Sequence, residues 1–169
     1  MFRLLEKKND LKNVSVVTEM KRQYPYGKLL CHVLGYIGEI NRRELEDIKY
    51  IGRKQGDIIG KTGIEREYDS YMIGEDGGWL IESDVGGRQL SILDRIQPIP
   101  GNNIQLTIDI ELQKVAEEAL KATGHSGAIV GLDPSNGSVR ILVSHPGFDP
   151  NLFLNNSSER MEYFENNRL

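Results

Sequence analysis

The sequence predicts an α+β fold, in which short strands and helices are followed by a strand, a helix and a β-hairpin. Three observations lead to this prediction. Eighteen glycines predict many turns. Pro98, Pro100 and Gly101 form the strongest break in the middle of the chain. The residues after this break have the clearest strand and helix patterns, so we expect one domain at residues 1–101 and a second at residues 102–169.

The composition is that of a folded, soluble protein. Of the 169 residues, 38% are hydrophobic and 27% are charged, and the net charge is −4. The basic residues near the N-terminus lack interleaved aromatic residues, so we expect no nucleic-acid binding. Cys31 is the only cysteine, which excludes an internal disulfide bond and a cysteine-based zinc site. No apolar run approaches the length of a bilayer span, and the N-terminus does not have the pattern of a secretory signal peptide.

In the first domain the signals for regular structure are short. The apolar run Val14–Val17 predicts an edge strand. Asn41 and Glu44 have the spacing of a capping box, which predicts a helix from there to about Lys49. A second short amphipathic helix is predicted after Gly63, because apolar side chains recur there at helical spacing. These side chains are Ile64, Tyr68, Tyr71 and Met72.

Two β-hairpins are also predicted. The first joins residues 79–85 to residues 88–93 through Gly86-Gly87, where positive φ angles would suit a two-residue turn. The second joins residues 127–133 to residues 138–144 through a Pro-Ser-Asn-Gly turn.

A strand and a helix are expected between the two hairpins. The apolar side chains of Ile104, Leu106 and Ile108 alternate with polar ones and predict a strand. Asp109 then stands where a helix N-cap is needed, and Gly124 where the helix would end. The expected buried face of this helix consists of Leu112, Val115, Ala116, Ala119 and Leu120.

Residues 56–63, GDIIGKTG, resemble two functional motifs. A phosphate-binding loop requires a glycine, four intervening residues and then Gly-Lys-Ser/Thr, but Gln55 occupies the position of the first glycine and Gly56 is one residue too close. We also expect no β-rich strand before the loop. Lys61-Thr62-Gly63 also matches one signature of penicillin-recognising serine enzymes. Such enzymes need a Ser-x-x-Lys motif as well, and no serine has a lysine three positions later; Ser157 comes nearest, with Arg160. We therefore predict no catalytic residue.

Metal and cofactor sites are not predicted either. His32, His125 and His145 are scattered, and no second ligand accompanies any of them at a metal-binding spacing. Glu75 and Asp76 lie beside Gly77, where a turn accounts for them without acid–base chemistry.

Several stretches, in the right order, resemble class B penicillin-binding proteins, especially the elongation-type penicillin-binding protein 2 group. The pattern Arg22-x-Tyr24-Pro25-x-Gly27, followed by residues 32–38 (HVLGYIG), resembles the first block of the family's non-catalytic pedestal. Residues 60–77, with glycines at 60, 63, 74 and 77, resemble the second block. Residues 107–113, 127–137 and 148–151 resemble the entry into the transpeptidase domain.

The resemblance implies an elongated pedestal in residues 1–101 and a truncated transpeptidase domain in residues 102–169. In the pedestal, glycines would set the backbone geometry and polar residues would be hydrogen-bonded inside the lobe. The motif residues are Arg22, Tyr24, Pro25, Gly27, His32, Gly35, Tyr36, Gly38, Gly60, Gly63, Glu65, Tyr68, Gly74 and Gly77. Without the rest of the sheet, the apolar faces of residues 129–132 and 139–143 are expected to be exposed.

The resemblance also implies a function for the parent protein. Such proteins cross-link peptidoglycan by acyl transfer from a D-Ala-D-Ala stem peptide through a serine ester, so this chain would be a non-catalytic scaffold fragment. The implied partners are a membrane glycosyltransferase and cell-elongation scaffold proteins, with a possible homodimer. The implied location is the inner membrane, with this domain in the periplasm. A freestanding adaptor and a nucleotide-binding protein built on Gly60-Lys61-Thr62 remain alternatives.

Overall fold

A computed structural model describes residues 21–86 and 89–154. The predicted strand Val14–Val17 and the C-terminal segment that contains Ser157 lie outside the described residues. Among those described, short helices accompany three two-stranded antiparallel sheets, which confirms the predicted α+β class. None of the helices in this part of the chain is long and apolar enough to cross a membrane.

The first sheet pairs β1, Ile37–Glu39, with β2, Ile58–Gly60. A small core lies beside it, formed by Ile40, Tyr50 and Ile59. The chain enters β1 through a 3₁₀ helix, Gly27–Leu30, and the short helix α1, Cys31–Leu34.

The single helix predicted after the capping box is wrong. The box itself is present: the Glu44 N–H donates to Asn41 Oδ1, and the Asn41 N–H donates to Glu44 Oε2. Two 3₁₀ helices follow, Glu44–Glu46 and Ile48–Tyr50, separated by extended backbone at Asp47. The Asp47 carboxylate accepts from the Lys49 N–H and so caps a new turn in place of continuing the old one.

The amphipathic helix predicted after Gly63 is also wrong in its detail. Two short helices replace it, α2 at Gly63–Glu67 and α3 at Asp69–Met72. Tyr68 and Tyr71 are about half exposed, whereas the buried side chain of α2 is Glu65. Apolar spacing does not indicate which face is buried here, because polar partners from distant residues hold Glu65 inside.

The β3–β4 hairpin is confirmed, with β3 at Gly78–Ser83 and β4 at Gln89–Ile96. The predicted two-residue turn is wrong. The strands end at Ser83 and resume at Gln89, and Gly86 does not have a positive φ angle. Instead the Gly86 N–H donates to Asp84 Oδ1, a local side-chain bond that shapes a longer connection. Gly87 lies outside the described residues.

Helix α4, Ile110–Thr123, begins and ends as predicted. The Asp109 side chain accepts from the N–H groups of Glu111 and Leu112, and Gly124 is left-handed. The strand predicted before it is wrong, because residues 102–109 form no ladder. They run beside the second hairpin, where the Asp109 N–H donates to Arg140 O.

The buried face of α4 differs from the prediction. The buried side chains are Gln113, Ala116, Glu117 and Leu120, whereas Leu112 and Val115 are 45% and 65% exposed. The helix is therefore rotated from the orientation that apolar spacing predicts, and the cause is the set of polar partners that Gln113 finds, described below.

The second hairpin is confirmed, with β5 at Gly127–Leu132 and β6 at Val139–His145. One face of the hairpin packs on Ala116 and Leu120 of α4. Val130, Leu132 and Leu142 are exposed, as expected. The expectation is wrong for Val143, which is buried, and for Ile129 and Ile141, which are partly buried against the same cluster. A 3₁₀ helix, Pro150–Phe153, follows β6.

The Gly60→Ala variant should be destabilised. A Cβ added at Gly60 would lie 1.9 Å from the backbone oxygen of Glu65, and overpacking of this kind costs roughly 1–3 kcal/mol or more. The free energy of unfolding, measured by urea denaturation, tests this expectation. Gly78→Ala is the matched control, because a Cβ there would meet nothing within 4 Å. Equal stability of the two variants would contradict the close approach of α2 to β2.

Candidate functional site

Most of the motif residues fall into three groups in the structure. Tyr24, Gly27, His32 and Tyr36 lie at the junction with residues 146–153. A second group surrounds Glu65 and the β1–β2 sheet, and it consists of Arg22, Gly35, Gly38, Gly60 and Gly63. Gly74 and Gly77 lie against backbone at the base of the β3–β4 hairpin. Pro25 and Tyr68 are exposed.

At the junction, the side-chain amide of Asn151 holds the backbone of Tyr24. The Tyr24 N–H donates to Asn151 Oδ1 at 3.0 Å, and Asn151 Nδ2 donates to Tyr24 O at 2.9 Å. Asp149 Oδ1 accepts from both the backbone N–H and Nδ2 of Asn151 and fixes the amide orientation. The amide thus pairs with Tyr24 as a neighbouring strand would.

Gln113 joins three elements at the same junction, and it is fully buried. Its Oε1 accepts from the Leu142 N–H at 2.9 Å, and its Nε2 donates to Leu142 O at 2.7 Å. Nε2 also lies 3.3 Å from Leu29 O, in the 3₁₀ helix Gly27–Leu30. One side chain therefore connects α4, β6 and this 3₁₀ helix.

An aromatic cluster of four rings lies at the same junction. Tyr36 stacks on Phe153 with ring centroids 4.1 Å apart, and Phe148 packs edge-on against His32 and Tyr36. His32 Nε2 lies 3.0 Å from Pro146 O, and because a carbonyl only accepts, this nitrogen carries the proton. Below the cluster, Cys31 Sγ accepts from the Phe148 N–H, and burial raises the pKa of the Cys31 thiol.

Glu65 is the buried carboxylate of the second group, with only 7% of its surface exposed. Its Oε2 accepts from Arg22 Nη2 at 2.9 Å, and its Oε1 accepts from the Tyr24 hydroxyl at 3.2 Å. Burial, and then the negative charge of Glu65, raise the pKa of the Tyr24 phenol. The phenol is therefore held in its neutral, donating form.

The Gly-Lys-Thr segment has its polar groups engaged by carboxylates. The Gly60 N–H donates to Asp69 Oδ1 at 2.9 Å, and Lys61 Nζ lies 2.6 Å from Glu44 Oε2. Burial alone would raise the pKa of Glu44, but the bonds from Lys61 and from the Asn41 N–H lower it. Our expectation that no strand precedes this segment is wrong, because β2 runs directly into Gly60.

Close backbone packing explains Gly35 beside this segment. Gly35 has a φ angle of +77°, and a Cβ there would lie 2.0 Å from Thr62 O. Only glycine combines this conformation with such an approach. The Lys-Thr-Gly segment is thereby packed against the end of α1.

Several polar residues that matter were not singled out from the sequence. Arg53 pairs with Asp69 at 2.6 Å, and this pair and the Arg22–Glu65 pair line a cavity of about 170 Å³. Glu117 is buried, with Lys121 and His145 near its Oε1. From the sequence alone, a buried acidic residue cannot be distinguished from an exposed one. No local pattern therefore predicts these ion pairs. No group of three candidate metal ligands occurs among the described residues.

Known protein families and relatives resemble this chain in sequence. A family profile described as "Penicillin-binding Protein dimerisation domain" matches residues 1–106. The match includes residues 1–20, where the sequence motifs show no matching block. A curated relative, the peptidoglycan D,D-transpeptidase MrdA of Acinetobacter baumannii, is 40% identical over 149 residues, which cover 88% of this chain and 22% of that protein. The chain therefore spans about a fifth of the length of this relative.

Solved structures agree with this relationship. The complex between penicillin-binding protein 2 and MreC from Helicobacter pylori matches with a TM-score of 0.76 and 29% identity, over 99% of this chain and 31% of that chain. A structure described as "Structural coordination of polymerization and crosslinking by a peptidoglycan synthase complex" matches with a TM-score of 0.72 and 29% identity, over 99% of this chain and 31% of that chain.

The Gln113→Leu variant should lose stability. The partly buried N–H and C=O of Leu142 would keep their positions but lose their partners, and the loss of its partner costs a buried polar group roughly 1–3 kcal/mol. Urea denaturation measures the change in the free energy of unfolding. Gln105→Leu is the control, because Gln105 is exposed. A loss no greater than that of the control would contradict the described junction.

Tyr24 should make the protein sensitive to alkaline pH. The pKa of the Tyr24 phenol is raised in the folded state. The contribution of Tyr24 to the free energy of unfolding is therefore complete below the unfolded pKa of about 10 and is lost as pH rises above that value. The free energy of unfolding of the Tyr24→Phe variant should fall less steeply above about pH 10, by up to about 1.4 kcal/mol per pH unit. Tyr50, whose pKa is also raised, mainly by burial, accounts for part of the remaining slope. Identical slopes in the two proteins would overturn the assignment.

Proposed function

Because the chain belongs to the penicillin-binding protein dimerisation-domain family, as the pedestal region of a class B penicillin-binding protein 2, we propose that it is the non-catalytic scaffold part of a peptidoglycan transpeptidase. In this role it holds the catalytic domain in a fixed position relative to the membrane and presents surfaces to partner proteins of cell-wall elongation.

The junction is the observation that supports this role best. A scaffold has to keep one part of the protein in a fixed position relative to another, and this requires contacts of defined direction. The amides of Gln113 and Asn151 bond backbone groups on the other side of the junction, where a purely apolar contact could slide. The aromatic cluster adds close packing across the same junction, where Tyr36 stacks on Phe153. The start of the proposed catalytic domain is therefore held to the pedestal by directional bonds and by close packing.

The proposed reaction belongs to the whole protein. By family resemblance, it transfers an acyl group from a D-Ala-D-Ala stem peptide through a serine ester. The 169-residue sequence contains no Ser-x-x-Lys motif, and its Lys61 is paired with Glu44. In this proposal the reactive serine is supplied by a part of the protein other than these residues.

The proposed partners follow from the relatives. The Helicobacter pylori structure is a complex of penicillin-binding protein 2 with MreC, and a second similar structure is described as a peptidoglycan synthase complex. On this support we place the pedestal in contact with a membrane glycosyltransferase and a cell-elongation scaffold protein, on the periplasmic side of the inner membrane. Self-association of the pedestal is part of the same proposal.

The gene sequence on both sides of this chain distinguishes the proposed scaffold from a freestanding adaptor. A membrane-spanning segment upstream and an in-frame Ser-x-x-Lys downstream would support the scaffold of a transpeptidase. Genuine start and stop signals at both ends would favour the adaptor.

The scaffold role can be tested with Asn151→Ala in the full-length protein. This variant loses both bonds to the Tyr24 backbone, so it should still be labelled by a fluorescent penicillin but should fail to maintain rod shape in a complementation assay. Asn136→Ala is the matched control, because the amide oxygen of Asn136 bonds only the nearby Ser138 N–H among the described residues. Normal rod shape at normal protein levels would contradict the scaffold role. Residues 1–169, expressed alone, should not be labelled.

A further inference from the structure

We propose that the free edge of β3 binds an extended protein segment in which apolar residues alternate with lysine or arginine. The proposal rests on the scaffold role and specifies one surface of the pedestal that a partner would use. The inference comes from the register, exposure and charge of the β3–β4 hairpin.

The hairpin is rich in exposed apolar side chains. Trp79, Ile81 and Ile92 are 58%, 47% and 52% exposed, and Leu80 is 57% exposed. Among the described residues, β3 and β4 pack extensively only on each other. A two-stranded hairpin is marginally stable in water and gains stability from a third strand or a covering layer.

The two faces of the hairpin have different chemistry. Trp79 lies opposite Arg95, and Ile81 lies opposite Ile92, so these four side chains share one face. Arg95 lies over the Trp79 ring, 4.8 Å from its centroid, which leaves this face mainly apolar. Leu80, Glu82, Ser91 and Asp94 share the other face, and the charged groups there are both acidic.

The two edges of the hairpin also differ. Both register shifts insert an extra residue into β4, Leu93 in one case and Leu90 in the other, so the free edge of β4 is bulged and poorly suited to pairing. β3 runs without such an insertion over its six residues. In the described part of the chain, no backbone hydrogen bond joins β3 to any element except β4. Of the two edges, that of β3 is therefore the better suited to pairing with a further strand.

A strand added at this edge would have to match both faces. Because side chains alternate along a strand, its odd positions would lie beside Trp79 and Ile81 and its even positions beside Leu80 and Glu82. Apolar residues suit the first set, and basic residues suit the second because Glu82 and Asp94 lie there. This alternation identifies the occupant as a protein segment with apolar and basic residues in turn.

Charge also disfavours two other occupants. Residues 74–96 contain five acidic residues and two arginines. A second copy of the hairpin would bring these acids together, and an anionic lipid surface would repel them. A basic protein segment gains from the same charges, and its affinity should fall with increasing salt.

The single tryptophan gives a direct test, since Trp79 is the only one in the sequence and is next to the proposed strand. The probe is an acetylated hexapeptide of alternating leucine and lysine, matched in length to β3. Titration into the full chain should shift Trp79 emission to shorter wavelength. Alternating leucine and glutamate, and a peptide with three leucines followed by three lysines, are the controls and should bind at least about tenfold more weakly.

Variants test the two faces separately. Ile81→Lys should weaken binding of the leucine–lysine peptide about tenfold or more by placing a charge on the apolar face. Glu82→Lys should weaken the same peptide and strengthen the leucine–glutamate peptide. Leu132→Lys, on the exposed face of the other hairpin, should leave both affinities unchanged.

Three results would overturn the proposal. These are unchanged Trp79 emission with every peptide, equal affinity for the basic and acidic peptides, and an emission shift that depends on the concentration of the chain alone. The last result would assign the edge to a second copy. Failure of the peptide experiment leaves the result for Asn151→Ala untouched, so the docking edge and the scaffold role are tested independently.

Discussion

The fully buried amide of Gln113 is the contact on which the packing of α4 depends. Its oxygen and nitrogen lie in fixed directions, so satisfying both backbone groups of Leu142 and reaching Leu29 O determines how α4 lies against β6 and against the 3₁₀ helix Gly27–Leu30. No solvent reaches this position to replace a lost bond. The cost of separating these elements there is therefore the cost of leaving buried polar groups unpaired, which exceeds the modest net gain of an ordinary hydrogen bond.

Carboxylates have the corresponding role inside the pedestal. Its apolar core is small, and its helices are too short to be stable by themselves. Asp69 joins the Gly60 N–H to Arg53, and Glu65 joins Arg22 to Tyr24. Such pairs are costly to break, because the remaining partner would keep an unbalanced charge in a partly dry environment. A lobe with few apolar contacts is thus held together by ion pairs and by glycines that let backbones approach.

The sequence was informative where structure is local and misleading where partners are distant. Helix α4 and the β5–β6 hairpin were predicted correctly because Asp109, Gly124 and the Pro-Ser-Asn-Gly turn act within a few residues. The buried face of α4 was not, because Gln113 finds its partners 29 and 84 positions away. Hydrophobic periodicity assigns such a residue to the surface. Only the resemblance to a known family marked Gln113 and Glu65 as positions of interest, and it did so without indicating their partners.

The contacts at the junction and at the hairpin respond differently to solution conditions. The bonds of Gln113 and Asn151 at the junction are largely between neutral groups, so salt has little effect on them. The acidic residues of the exposed hairpin face water, where added salt screens them at distances beyond about 8–10 Å. The proposed basic partner would therefore bind or leave the hairpin as the salt concentration changes, while the junction keeps its geometry. This independence suits the proposed scaffold, because a reversible contact at the hairpin then does not change the geometry of the junction.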